Sequence, residues 1–125
     1  MGIRTILLLE DLATSSLADR LEKMLSTYRV TRKIIQEPQR RRLLQGEGYY
    51  DLALVPATTG LQRGSPDQGR IQSLGQRGNR NCLIVGYGIA PRNGAPYDDF
   101  LTTPKLMGAN SPEAYLRSFL ESLQS

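Results

Sequence analysis

With 125 residues, 39% of them apolar and 22% charged, the chain has the size and make-up of one small globular domain spanning 1–125. A net charge of +4 permits contact with nucleic acid or an acidic protein and demands neither. Histidine, the commonest metal ligand and general base, is absent; the single cysteine, Cys82, excludes an internal disulfide; and no apolar run nears the roughly 18 residues that span a bilayer.

The opening Met1-Gly2-Ile3-Arg4 runs directly into apolar residues without the layout of a signal peptide, so a reducing cytoplasm is the expected location. Ile6-Leu7-Leu8-Leu9 is a continuous apolar run ending at Glu10-Asp11, the pattern of a strand buried on both faces. Thr14-Ser15-Ser16 then offers a helix start, and Leu17, Leu21, Met24 and Leu25 line one face of an amphipathic helix. Tyr28 to Ile35 is rich in β-branched residues but more polar, which predicts a second strand nearer an edge. Pro38 opens a predicted second helix with Leu43 and Leu44 on its apolar face, stopped by Gly46-Glu47-Gly48.

Tyr49 to Val55 reads as the third strand, closing on Pro56, and residues 57–69 read as loop. A short helix is expected from Arg70 to Leu74. Cys82-Leu83-Ile84-Val85 is the fourth buried strand, and Gly86 to Pro96 is too rich in Gly and Pro for a normal helix. Phe100-Leu101-Thr102 gives a fifth strand. Ser111 and Pro112 start the last helix, whose apolar face holds Ala114, Leu116, Phe119, Leu120 and Leu123. Alternation of strand and helix predicts an α/β fold: a doubly wound parallel sheet in three layers, with function gathered at the carboxyl ends of the strands. Those ends carry Glu10-Asp11, Pro56-Ala57, Gly86-Tyr87-Gly88 and Thr103-Pro104.

In order and spacing, these segments resemble the response-regulator receiver (CheY-like) family over nearly the whole chain. "ILLLED" (Ile6 to Asp11) is similar to the first strand and acidic pair, "DLALV" to the third strand and "CLIVGYG" to the fourth. "GAPYDDFLTTP" (Gly94 to Pro104) is similar to the family's Gly-Ala, Asp-Asp-Phe/Tyr-Leu, x-Lys-Pro segment around the fifth strand. The resemblance implies a five-stranded sheet in the receiver/flavodoxin-like order 2-1-3-4-5. Gly88 to Gly94 leaves no room for the family's fourth helix, which is expected to be missing or replaced by a loop. The β4–β5 side would then be less covered and free to recruit a partner.

The family's chemistry uses an aspartate nucleophile after the third strand, Mg²⁺ on the acidic pair, a Thr or Ser after the fourth strand, and a Lys before a proline after the fifth. Carried over residue by residue, the acidic pair is kept as Glu10 and Asp11, and the proline as Pro104. The nucleophile falls on Pro56, the hydroxyl on Tyr87 and the lysine on Thr103. The resemblance therefore implies a pseudo-receiver with a vestigial phosphoacceptor site. With a central carboxylate ligand gone, Glu10 and Asp11 are expected to hold a metal weakly at most, and no metal or other cofactor is expected. Asp11 is expected to cap or orient the following loop, and Tyr87 to fill space.

No GxGxxG follows the first strand and no GxxxxGK[ST] occurs, so a nucleotide-using enzyme is not expected. Cys82 lies inside an apolar run with no histidine to activate it and reads as an inert core residue. The expectation is a non-enzymatic signalling module working through a protein partner: an output domain in cis, as at the start of a bacterial transcription regulator, or a homodimer. Arg29, Arg32, Lys33, Arg40, Arg41 and Arg42 form a candidate basic face. This leaves open a nucleic-acid-binding accessory protein, although no interleaved aromatics support base stacking. A flavodoxin-like domain with a small ligand at the strand ends is the other alternative.

Overall fold

The two most apolar runs become the centre of a sheet. β1 (Thr5–Glu10) and β3 (Leu52–Pro56) lie side by side, flanked by β2 (Arg29–Ile34) at one edge and by β4 (Leu83–Gly88) and β5 (Asp99–Thr102) at the other. All pairings are parallel and the order is β2-β1-β3-β4-β5, as the resemblance implied. This computed structural model describes residues 3–34, 49–59, 62–73, 82–91 and 94–123. The predicted second helix, with Arg40, Arg41 and Arg42, lies outside the described residues.

Side chains alternate across a strand, so each central strand feeds two cores. Ile6, Leu8, Leu52, Leu54, Val85, Tyr87 and Leu101 face α1 (Ser15–Met24), α3 (Thr103–Met107) and α4 (Pro112–Leu123). Leu7, Leu9, Ala53, Val55 and Ile84 face the other way, where Ile71 of α2 (Pro66–Ser73) packs with Cys82, Tyr50 and Tyr97. Each fully buried leucine contributes about 1.5–3 kcal/mol of transfer free energy, so the sheet is held from both sides. No helix among the described residues is long and apolar enough to cross a membrane.

Three sequence expectations change. The helix expected at Arg70 begins at Pro66, because Ser65 and Pro66 repeat the start used at Ser111 and Pro112. The Ser65 hydroxyl oxygen accepts the Gln68 N–H at 3.3 Å, as that of Ser111 accepts the Ala114 N–H at 3.3 Å. Residues 57–59 form a 3₁₀ turn within the expected loop. α3 was not foreseen: its five residues follow β5 directly, with Pro104 in the first turn and Leu106 buried.

Among the described residues no helix joins β4 to β5, in keeping with the expected loss. The neighbouring sheet face, however, is not bare. A Cβ added at Gly86 would lie 2.7 Å from both the Tyr97 and Phe100 rings, which pair at 5.6 Å between centroids. Tyr97 of the connection and Phe100 of β5 pack against the strand, and Gly86 lets them approach.

The amino ends of the strands are tied by carboxylates. Asp51 accepts the Arg4 and Thr5 N–H groups at 2.9 and 3.1 Å, and Asp98 accepts the Ile84 N–H at 2.8 Å. Cys82 is buried near both, and burial, then Asp51 and Asp98, push its thiol up to about 12. An unfolded thiol ionises near 9, so this contribution to stability is present below pH 9 and is lost as pH rises toward 12. Native protein at pH 8 should react with a thiol-specific disulfide reagent only at the rate of unfolding, and Cys82→Ala should flatten the alkaline loss of stability. Rapid stoichiometric labelling of native protein would contradict an inert core thiol.

Candidate functional site

The carboxyl ends of β1, β3 and β4 place three of the residues singled out from the sequence, Glu10, Pro56 and Tyr87, in one row. Leu8 pairs with Leu54, and the same two-residue step sets Glu10 level with Pro56; Pro56 in turn pairs with Tyr87, and Tyr87 with Leu101. By alternation, Glu10, Pro56 and Tyr87 all point to the α1 side.

Tyr87 crosses this row. Its ring is fully buried, and its hydroxyl donates to the Leu9 carbonyl at 2.5 Å, reaching from β4 over β3 to β1. Burial is the main reason the phenol titrates well above the ordinary tyrosine range. A hydrogen bond with Thr14 opposes the rise, while Asp11 and Glu10 add to it. Those partners place the hydroxyl near the acidic residues. Pro56 is itself buried and brings neither a nucleophile nor an N–H.

The acidic pair is occupied from within. Glu10 is 5% exposed, and its Oε2 accepts Arg32 Nε and Nη2 at 2.8 and 2.6 Å. Asp11 is the N-cap of a 3₁₀ turn, Leu12–Thr14: its Oδ1 accepts the Thr14 N–H at 3.0 Å, while the Thr14 hydroxyl oxygen accepts the Asp11 N–H at 3.0 Å. Its Oδ2 accepts the Thr58 hydroxyl, joining the loops after β1 and β3. The two carboxylates are thus committed to different partners, and the side chain of Pro56 offers no ligand atom. A hard divalent cation needs several free oxygens converging on one point, and these residues do not fit one. No group of three or more metal-ligating side chains occurs among the described residues.

Thr103 is buried at the start of α3, and Pro104 beside it is exposed. Both line an open groove of about 360 Å³ with Ser16, Leu17, Arg20 and Met107. This groove presents a mainly apolar surface.

Of the candidate basic face, Arg29, Arg32 and Lys33 lie among the described residues. Alternation along β2 sets Arg29 and Lys33 on one face and Arg32 on the other. Arg32 Nη1 also reaches Asp19 Oδ1 at 2.5 Å and Glu22 Oε1 at 3.1 Å, so its charge is neutralised locally. Its partnership with Glu10 was legible in principle. Arg32 shares a face with Val30, which packs on the α1 core, and Asp19 and Glu22 are one helical turn apart.

No protein-family model matches the chain, and no curated protein matches it. Solved structures do. The receiver domain of a sensor histidine kinase from Pseudomonas aeruginosa, solved with a magnesium ion in its active-site cleft, is similar with a TM-score of 0.61 at 24% identity, covering 98% of this chain and 97% of that one. The pilus assembly protein CpaE from Caulobacter crescentus gives 0.59 at 17% identity over 97% and 95% of the two chains. An orphan response regulator of H. pylori gives 0.55 at 17% over 94% of each. The chain has the receiver fold, with the helix between β4 and β5 missing among its described residues.

Proposed function

We propose that this chain is a receiver-fold regulatory module that has given up phosphoryl transfer and acts by contact with a protein. One observation carries this reading: Tyr87, paired with Pro56 at the strand ends, is fully buried and its hydroxyl is bonded to the Leu9 carbonyl. A phosphoryl group would find neither a carboxylate to accept it nor space to sit. The Pseudomonas receiver domain of the same fold has a magnesium ion in its cleft, whereas here Arg32 holds Glu10 and a turn holds Asp11.

Contact is the remaining mode of action. The loops at the carboxyl ends are laced together by Thr58 to Asp11 and by the Arg63 N–H to the Gly94 carbonyl at 3.1 Å. Leu12 and Ile89, about four-fifths exposed, stand on those loops. A pre-ordered surface with exposed apolar side chains suits a protein partner in the cytoplasm, whether an output domain in cis or a second copy. With Arg32 neutralised, a basic nucleic-acid face is less supported than protein contact.

Incubation with Mg²⁺ and acetyl phosphate should leave the intact mass unchanged, and Mg²⁺ with beryllofluoride should not raise the melting temperature. A stoichiometric acyl phosphate, or stabilisation by beryllofluoride, would overturn the proposal.

A further inference from the structure

We propose that Arg32 is a built-in counter-cation: its guanidinium takes the place of a divalent metal beside Glu10 and keeps metal ions out. The Arg32 guanidinium meets three carboxylates, Glu10 at 2.6 Å, Asp19 at 2.5 Å and Glu22 at 3.1 Å. They come from two elements, the end of β1 and the outer face of α1, and Arg32 itself from a third, β2. The planar guanidinium suits this task. Nε and Nη2 converge on one Glu10 oxygen, while Nη1 turns to the helix.

Burial makes the cation necessary at Glu10. The Glu10 side chain is 6% exposed, and an ionised carboxylate so deep in the fold needs a positive partner. Asp19 and Glu22 are exposed, so they tune the arginine rather than depend on it. An arginine stays charged throughout the physiological pH range, and it cannot diffuse away. The domain therefore holds one charge state regardless of the divalent ion concentration. A metal would have to displace a tethered cation hydrogen-bonded to all three carboxylates, which opposes binding.

The inference builds on the proposed loss of phosphoryl transfer but is tested apart from it. Formation of an acyl phosphate would overturn that loss, whereas Arg32 is judged on metal response alone. The experiment is a set of thermal melts of the full chain at pH 7 with MgCl₂ or MnCl₂ up to about 10 mM at constant ionic strength. Wild type should not respond beyond a monovalent-salt control. Arg32→Met should melt roughly 10 °C lower and regain several degrees with the divalent ion. The double variant Glu10→Gln/Arg32→Met should lose that response. An Arg32→Met protein no more responsive than wild type would overturn the proposal. Should that variant fail to fold, wild type and Glu10→Gln decide: stabilisation of wild type by Mn²⁺ that Glu10→Gln abolishes would show that the metal reaches Glu10 despite the arginine, and overturn the proposal; no response in either supports it.

Discussion

Replacing Tyr87 with alanine should remove about 3–5 kcal/mol of unfolding free energy, and replacing it with phenylalanine only about 1–2 kcal/mol. The alanine change empties a fully buried space between β3, β1 and the α1 helix, which the surrounding strands cannot collapse to fill. The phenylalanine change keeps the ring and removes only the hydroxyl donated to the Leu9 carbonyl. Urea denaturation should show both as a lower midpoint with an unchanged slope. Single domains hold about 5–15 kcal/mol in total, so the alanine variant approaches the limit of folding at moderate temperature. An alanine variant within about 1 kcal/mol of wild type would mean that the ring is not what fills the pocket. The hydroxyl also sets a pH dependence. Its folded ionisation is raised above the ordinary 10, so its contribution is present below pH 10 and lost as pH rises beyond it. Tyr87→Phe should therefore be less sensitive to alkali than wild type.

The sheet was legible because continuous apolar runs such as Leu52 to Val55 have few other ways to be buried on both faces. At the site, the sequence alone shows that Pro56 carries no nucleophile in any packing. What periodicity could not reveal were contacts between elements far apart in sequence. Tyr87 to Leu9 spans 78 positions. Arg32 was grouped with Arg29 and Lys33 because all three are basic, but the pleat of β2 separates them. The packing of Tyr97 and Phe100 beside β4 was missed for a related reason. Gly86 was read as a loop former, whereas its bare Cα is what admits the Tyr97 and Phe100 rings. The short α3 was missed because five residues carry too little periodicity to signal a helix.

Restoring the missing carboxylate alone should not restore the chemistry. Pro56→Asp places an acid in a fully buried position, level with Glu10 and beside the Tyr87 ring, where Arg32 is already committed to three carboxylates. At pH 7 the variant should lose about 2–4 kcal/mol, since a buried charge without a partner is costly. Burial raises the folded ionisation of the introduced acid above its unfolded value near 3.9, so the deficit should be small below about pH 4 and deepen as pH rises through the folded value. With Mg²⁺ and acetyl phosphate the intact mass should stay unchanged. Adding Tyr87→Thr frees the pocket but leaves Glu10 paired with Arg32, so the double variant should still form no acyl phosphate. Only with Arg32→Met as well do a nucleophile, space and an unpaired Glu10 coincide. An acyl phosphate on Pro56→Asp alone would show that neither Tyr87 nor Arg32 closes the site, and that a single substitution separates this domain from a working phosphoacceptor.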